Sequence, residues 1–179
     1  MPDLGPADVP ACDPPGADLA LEAATSDPDA TRALASALAD LLVDGDLLVL
    51  TGDLGAGKTT FTQGLGRGLG VAERITSPTF TLLVEHQGRL ALHHLDAYRL
   101  DGVDDAVDLD LPELLERGVT VIEWGDRLAP VLPADHLRVE LRLGPGDDDR
   151  TLRLQPAGGA WSARRARLRA TLAPWGRPC

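Results

Sequence analysis

The segment Gly52–Thr60, which reads GDLGAGKTT, carries the residue types and the spacing needed to bind phosphate. Gly52 is followed, after four residues, by Gly57, Lys58 and Thr59, which is the pattern of a phosphate-binding loop. Glycines let backbone N–H groups approach a ligand closely, and the helix expected next presents its partly positive N-terminus to the same place. The pattern predicts a di- or triphosphate site in which Lys58 reaches the phosphates and the Thr59 hydroxyl takes one position on Mg²⁺.

Two carboxylates are candidates for the acidic partner that such a site needs. Asp96 follows an apolar run interrupted by His93 and His94, and Glu123 ends the β-branched run Val119–Glu123. Mg²⁺ prefers hard oxygen ligands, and an acidic group can also orient the water that attacks a phosphate. The residues alone leave open which carboxylate binds the metal directly, and for Asp96 a strand cap is the alternative. The two histidines are expected on opposite faces of a strand, so they make poor joint metal ligands.

Hydroxyl and aromatic side chains complete the set of candidates. Ser77 and Thr79 flank Pro78 and are candidates for a switch loop that a terminal phosphate orders. The alternative is a turn set by the proline, which keeps its predecessor out of the helical region. Trp124 is interpreted either as core packing or as a ring that senses the nucleotide.

Strands and helices must alternate around these residues if they are to meet. Strands are predicted at Asp18–Ala24, Leu47–Leu50, Thr81–Glu85, Leu90–Leu95, Val119–Glu123, His136–Leu143 and Thr151–Gln155. Helices are predicted from Pro28 after an Asp27 cap, over Lys58–Leu69, at Leu111–Arg117, and at the C-terminus with Trp161, Leu168 and Leu172 on one face. Gly64, Gly66 and Gly68 inside the second helix indicate either a close backbone approach or a soft helix end.

This alternation favours an α/β fold of the P-loop NTPase kind. We expect a mainly parallel sheet flanked by helices, with antiparallel additions at the edge. In such sheets ligands bind at the carboxyl ends of the strands, where the phosphate loop, Asp96 and Glu123 would all lie.

Composition bounds the class of protein. The chain has 179 residues, and 17 basic against 28 acidic side chains give a net charge of −11. A chain this acidic has no general electrostatic attraction for nucleic acid, so we expect any RNA contact to depend on a partner. Cys12 and Cys179 lie near opposite ends and predict neither a disulfide framework nor a metal site. With no apolar run of the ~20 residues that span a bilayer and no signal-peptide profile, we expect no membrane and a cytoplasmic location.

Four motifs, in this order, resemble one family, the bacterial TsaE family (formerly YjeE) of the tRNA threonylcarbamoyladenosine machinery. They are GDLGAGKTTF at Gly52–Phe61, SPTFTL at Ser77–Leu82, HLDAYRL at His94–Leu100 and IEW at Ile122–Trp124. The phosphate loop is shared by many proteins, whereas the other three motifs together are specific. The likeness runs from about Asp18 to Gln155, with one departure at Gly125, where family members often have proline.

The resemblance implies a slow Mg²⁺-dependent ATPase that acts with the proteins TsaB and TsaD. Those partners transfer a threonylcarbamoyl group to the adenosine beside the anticodon of tRNA, and ATP hydrolysis is implied to sustain their turnover. The protein meets tRNA only indirectly, through the complex. The implied residues are Asp53, Leu54, Gly55, Ala56, Gly57, Lys58, Thr59 and Thr60 for ATP, Thr59 and Glu123 for Mg²⁺, Lys58 and Asp96 for catalysis, and Ser77, Thr79 and Trp124 for switching or sensing. In the family the base is expected near segments that correspond here to Asp27–Asp29 and Asp147–Arg150.

We expect three regions and keep one competing function. The regions are a disordered tail over residues 1–17, a P-loop ATPase domain over residues 18–156, and an Arg-rich C-terminal helix and tail over residues 157–179. The arginines of that helix form either its solvated face or a contact for RNA or an acidic partner. The competing function is a P-loop kinase of a small metabolite, for which the acidic segment Asp101–Asp110, predicted as a surface loop or irregular helix, is a poor lid.

Overall fold

A seven-stranded sheet forms the centre of the computed structural model, which describes residues 20–100 and 110–176. The strands are β1 Leu21–Thr25, β2 Leu47–Thr51, β3 Leu83–His86, β4 Leu92–Asp96, β5 Val119–Glu123, β6 His136–Leu143 and β7 Arg150–Ala157. Their spatial order is β1-β7-β6-β2-β5-β4-β3. The four central strands are parallel, and β1, β7 and β3 are added antiparallel at the two edges. The predicted fold class is confirmed.

Five helices lie in the described parts of the chain. They are α1 Pro28–Ala39, α2 Lys58–Gly68, α3 Leu111–Glu116, α4 Gly158–Ala163 and α5 Arg165–Leu172, with 3-10 turns at Ala97–Arg99, Gly125–Val131 and Ala173–Trp175. Helix α1 begins as predicted, because Asp27 accepts the N–H of Ala30 at 2.7 Å and Pro28 opens the helix. None of these helices is long and apolar enough to cross a membrane.

Two local predictions were wrong. The C-terminal helix is divided in two at Arg164, whose side chain turns inward to Asp46. The strand predicted from Thr81 begins at Leu83, because the N–H of Leu82 closes a turn on the carbonyl of Pro78 at 2.7 Å. The segments predicted as an N-terminal tail and as an acidic loop lie outside the described residues, except for residue 110.

The glycines of α2 allow it to pack closely on α1. A Cβ atom at Gly64 would lie 2.4 Å from the carbonyl oxygen of Arg32, and one at Gly68 would lie 2.4 Å from that of Ser36. These separations are far below van der Waals contact, so only glycine fits at either position. The close backbone approach that the sequence indicated is confirmed, and it fixes the helix that follows the phosphate loop.

Both faces of the central sheet are covered, which explains why β2 is entirely apolar up to its last residue. Leu48 and Leu50 belong to the core under α1 and α2, and Leu47 and Val49 belong to a second core on the opposite face. Neighbouring side chains of β2 therefore anchor it from both sides. The phosphate loop therefore follows directly from a strand that is held in place on both faces.

Candidate functional site

The phosphate loop connects β2 to α2 through a backbone that requires glycine. Gly52 and Gly57 have φ values of +134° and +103°, in the region that other residues rarely adopt. A Cβ atom at Gly52 would lie 2.2 Å from the carbonyl oxygen of Leu141 on β6, so the loop is packed tightly against the neighbouring strand. These contacts hold the loop in one shape at the start of α2.

A cavity of about 490 Å³ opens beside this loop. It is lined by Leu54, Gly55, Gly57, Lys58, Thr59, Thr60, Ser77, Thr79, Asp96, Tyr98, Glu123 and Trp124. Four segments distant in sequence therefore meet at one place: the loop, the residues around Pro78, the end of β4 and the end of β5. Of the residues predicted from sequence, only Asp53 and Ala56 do not line the cavity. The N–H of Ala56 donates within the loop to the carbonyl of Asp53 at 3.1 Å, and the Ala56 side chain is buried.

Lys58 lies folded against its own loop. Its Nζ donates to the carbonyl oxygens of Gly52 at 2.6 Å and Asp53 at 2.8 Å, and it lies 3.6 Å from the centre of the Trp124 ring. Burial lowers the pKa of Lys58, while the charges of Glu123 and other nearby carboxylates partly oppose that shift. A phosphate group at this place would supply the direct anionic partner that neutral carbonyl groups do not.

Glu123, at the end of β5, is held by hydroxyl and imidazole groups. The Thr59 hydroxyl donates to Oε2 at 2.9 Å, Nε2 of His94 lies 2.7 Å from Oε1, and the Thr62 hydroxyl lies at the long distance of 3.5 Å from Oε1. The Glu123 residue is 2% exposed. The Thr59 hydroxyl and a carboxylate oxygen, two hard oxygen atoms, therefore lie side by side at the start of α2.

Asp96, at the end of the neighbouring strand β4, has a different set of partners. Its Oδ2 accepts hydrogen bonds from Ser77 at 2.8 Å and Thr79 at 2.7 Å, and its Oδ1 accepts the N–H of Tyr98 at 2.9 Å. The two hydroxyl groups also lie 2.7 Å apart. The structure thus ties Asp96 to the segment predicted as a switch loop, and ties Glu123 to the phosphate loop. This distinction could not be drawn from sequence.

The oxygen atoms at this site suit Mg²⁺ with a nucleotide better than a metal held by protein alone. Mg²⁺ is commonly bound through one or two protein groups, with phosphate oxygens and water completing the octahedron. Thr59 and Glu123 provide such a pair 2.9 Å apart. Within residues 20–100 and 110–176, no group of three or more His, Cys, Asp and Glu side chains is placed to hold a metal ion.

Trp124 is half-buried at the wall of the cavity in a backbone conformation unusual for a side chain of its size. Its φ is +58°, and its ring packs 5.1 Å from that of Tyr98 as well as on Lys58. The next residue, Gly125, leaves no room for a side chain, because a Cβ atom would lie 2.5 Å from a methyl group of Val49. Trp124 therefore packs on Tyr98 and Lys58 and lines the cavity at the same time.

Sequence reasoning missed two residues that support this site. His94 was set aside as a metal ligand, yet the alternation along β4 places it on the same face as Asp96 and could have indicated its contact with Glu123. Arg150, at the start of β7, donates from Nε to the carbonyl of Ala56 at 3.0 Å and from Nη2 to that of Gly55 at 3.2 Å. No local pattern marks Arg150, because its contacts are with residues 94 and 95 positions away.

Comparison with known proteins identifies relatives over most of the chain. The family model described as threonylcarbamoyl adenosine biosynthesis protein TsaE matches residues 25–152. The tRNA threonylcarbamoyladenosine biosynthesis protein TsaE of Bacillus subtilis (strain 168) is 40% identical over 139 residues, which cover 76% of this chain and 86% of that protein. The protein of the same name from Treponema pallidum (strain Nichols) is 50% identical over 104 residues, covering 58% of this chain and 77% of the relative. The crystal structure of Bacillus subtilis YdiB matches with a TM-score of 0.71 at 34% identity, covering 84% of this chain and 95% of that one.

Proposed function

This chain belongs to the TsaE family of tRNA threonylcarbamoyladenosine biosynthesis proteins, and from that premise we propose that it is an ATPase acting with TsaB and TsaD. One observation carries the proposal: Lys58, Thr59 and Glu123 meet beside one cavity at the N-terminus of α2. These are a cation for phosphate, a hydroxyl and a carboxylate, which are the groups that nucleotide hydrolysis needs.

In this proposal the loop binds the phosphates of ATP, and Thr59 and Glu123 hold Mg²⁺. The metal, when bound, neutralises charge that develops on the phosphate oxygens. Lys58 leaves the carbonyls of Gly52 and Asp53 and donates to the phosphates instead. Its buried ammonium then gains an anionic partner, which strengthens binding more than an exposed lysine would.

Asp96 is the proposed catalytic carboxylate, and its hydrogen bonds explain why hydrolysis would be slow without partners. Both of its oxygens already accept hydrogen bonds, from Ser77 and Thr79 on one side and from Tyr98 on the other. Oδ2 already accepts two hydrogen bonds, so in this proposal that oxygen orients an attacking water after the segment that contains the two hydroxyls has moved. We assign that movement to nucleotide and partner binding, which makes Ser77 and Thr79 the switch.

The base of ATP is proposed to lie in a second cavity of about 480 Å³ on the other side of Arg150. That cavity is lined by the loop before α1, by the hairpin between β6 and β7, and by Trp175. Arg150 borders it and also contacts the phosphate loop. Arg150 therefore lies between the proposed site for the base and the loop proposed to bind the phosphates.

The proposed partners are TsaB and TsaD, with tRNA reached indirectly through them in the cytoplasm. The net charge of −11 supports an indirect role, since an acidic protein gains little from contact with RNA phosphates. Within residues 20–100 and 110–176, no observation favours the competing metabolite kinase.

The test is ATP hydrolysis by the purified protein, alone and with TsaB, TsaD and tRNA. We expect slow release of phosphate by the protein alone, stimulation by the TsaB–TsaD pair, and neither in Lys58→Ala. Hydrolysis that is indifferent to both partners would contradict the proposal. Phosphate found on a small metabolite would support the kinase instead.

A further inference from the structure

We propose that His94 is a positioning residue that fixes the carboxylate of Glu123 for Mg²⁺. The inference rests on the proposed function, because it concerns the metal that Thr59 and Glu123 would hold. Among the described residues, Glu123 is the only hydrogen-bond partner of the His94 side chain, so we expect the effect of His94 to be exerted through that carboxylate.

The geometry divides the two oxygens of Glu123 between two tasks. His94 lies in β4, beside β5, and is completely buried. Its Nε2 lies 2.7 Å from Oε1 of Glu123, while Oε2 lies 2.9 Å from the Thr59 hydroxyl. One oxygen is therefore anchored from behind by the imidazole, and the other is directed toward the hydroxyl and the cavity.

The chemistry of the two groups determines which one donates. A carboxylate that binds a metal is ionised and only accepts hydrogen bonds, so Nε2 of His94 carries the proton. The other ring nitrogen, Nδ1, is buried and has no hydrogen-bond partner among the described residues. Burial of an unsatisfied nitrogen is unfavourable, and an aliphatic side chain would avoid it. The bond to Glu123 is what His94 provides at this position and a leucine would not.

Without His94, the carboxylate of Glu123 loses its close anchor. The remaining contact at Oε1 is the Thr62 hydroxyl at 3.5 Å, which is at the limit for a hydrogen bond. The carboxylate then samples other rotations about its last bond, and binding of Mg²⁺ must restore the lost order. Partners of metal ligands that act in this way change metal affinity by roughly 10- to 100-fold.

His93 provides a matched control from the same strand. It is also buried, at 1% exposure, but it lies on the opposite face of β4. Its Nε2 is 3.5 Å from a carboxylate oxygen of Glu85, and neither ring nitrogen has a hydrogen-bond partner in the described chain. Replacement of His93 by leucine therefore reproduces the loss of a buried imidazole without changing the contacts of Glu123.

The experiment measures how Mg²⁺ changes the affinity for a fluorescent ATP analogue, in wild type and in His94→Leu, His94→Gln and His93→Leu. We expect His94→Leu to raise the Mg²⁺ concentration at half-effect by about 10-fold. Glutamine can place an N–H near the position of Nε2, so His94→Gln should remain within about threefold of wild type. His93→Leu should titrate like wild type, and affinity for the analogue in EDTA should be the same in all four proteins.

Two results would overturn the inference. One is a wild-type Mg²⁺ titration in a folded His94→Leu protein. The other is an equal loss in His94→Leu, His94→Gln and His93→Leu, or a loss already present in EDTA, because either would indicate a general packing effect. Failure of the proposed nucleotide and Mg²⁺ site would look different, since wild type itself would then show no Mg²⁺-dependent binding of the analogue, and failure of the partner role would appear only in the hydrolysis assay with TsaB and TsaD.

Discussion

Buried charged groups lie at both ends of strand β2, but they are paired at the amino end and lack a directly bonded partner of opposite charge at the carboxyl end. At the amino end, Asp46 accepts hydrogen bonds from both terminal nitrogens of Arg164, with Nη1 at 2.7 Å. Arg164 also donates to the carbonyl of Leu41 and lies 4.0 Å from the centre of the Trp161 ring. At the carboxyl end, Lys58 donates to two carbonyl groups. Glu123 is bound by hydroxyls and the His94 imidazole, and Asp96 by hydroxyls and a backbone N–H, with no Lys or Arg side chain hydrogen-bonded to either carboxylate among the described residues.

The pKa shifts express the same difference. The hydrogen bond to Asp46 raises the pKa of Arg164, so the folded protein stabilises this charge. Burial lowers the pKa of Lys58, so the folded protein leaves that charge incompletely compensated. The amino end is a closed one-to-one ion pair. The carboxyl end has two carboxylates and one ammonium beside a cavity, which is an arrangement that a phosphate and a divalent cation would complete.

The largest effect is expected from breaking the ion pair between Asp46 and Arg164. Arg164→Met leaves Asp46 buried without its cation, and loss of one partner from a buried pair typically costs about 3–5 kcal/mol of unfolding free energy. Urea denaturation measures that loss, and the double variant Asp46→Asn with Arg164→Met should recover part of it. Nucleotide affinity of the folded protein should not change. A loss of unfolding free energy below about 1 kcal/mol would contradict this prediction, because it would be no larger than the contribution of an ordinary surface ion pair.

The second largest effect is expected from removing Lys58 at the carboxyl end of β2, which we call the open end because it lies beside the cavity. Lys58→Ala removes the cation expected to contact the phosphates, and we expect affinity for ATP to fall by about 100-fold or more, equivalent to ~2.7 kcal/mol. Calorimetric titration with ATP and Mg²⁺ measures this affinity. Unlike Arg164→Met, the variant should not lose stability, because an incompletely compensated charge is removed. Wild-type ATP affinity in Lys58→Ala would contradict the assignment of the loop.

The two ends also differ in how far they could be predicted. The carboxyl end is encoded by a local pattern, since the phosphate loop and Lys58 lie within nine residues and its carboxylates end two recognisable strands. The amino end joins Asp46 to Arg164 across 118 positions, and no local pattern specifies such a contact. From the sequence, Arg164 was predicted to lie on a solvated or partner-binding face of the C-terminal helix. In the structure its side chain is mostly buried against Asp46, and the helix is divided at this residue.

Prediction was also limited within the site. Strand ends placed Asp96 and Glu123 at one edge of the sheet, and the structure confirms that they pair across β4 and β5. The sequence does not show which hydroxyl group donates a hydrogen bond to which carboxylate, because that depends on side-chain directions set by packing between α2 and the sheet. The glycines of α2 indicated either a close backbone approach or a soft helix end, and only the structure decides for the close approach and identifies α1 as the neighbour.

A third prediction compares the two tryptophans that stack on these cations. Trp124 lies 3.6 Å from Lys58 Nζ and Trp161 lies 4.0 Å from Arg164 Cζ. Because Trp175 lines the cavity proposed for the base, the comparison is made in a Trp175→Phe background. If Lys58 moves onto phosphate, the surroundings of Trp124 change and those of Trp161 do not, so ATP should alter tryptophan emission in that background. The change should disappear in Trp124→Phe and persist in Trp161→Phe. A response to ATP that persists in Trp124→Phe would show that Trp124 is not the sensor.

The smallest effect is a dependence of stability on pH that only the open end should show. Because the pKa of Lys58 is lower in the folded protein than its ordinary 10.5, the unfolded chain binds more protons between these two values. The unfolding free energy of wild type should therefore rise, relative to Lys58→Met, as pH increases through that window toward 10.5. Below the window Lys58 is charged in both states and the cost of its burial is fully present.

Denaturation of both proteins at a series of alkaline pH values measures the difference. A constant difference across the series would mean that the carbonyls of Gly52 and Asp53 already compensate the ammonium, and the two ends of β2 would then be alike.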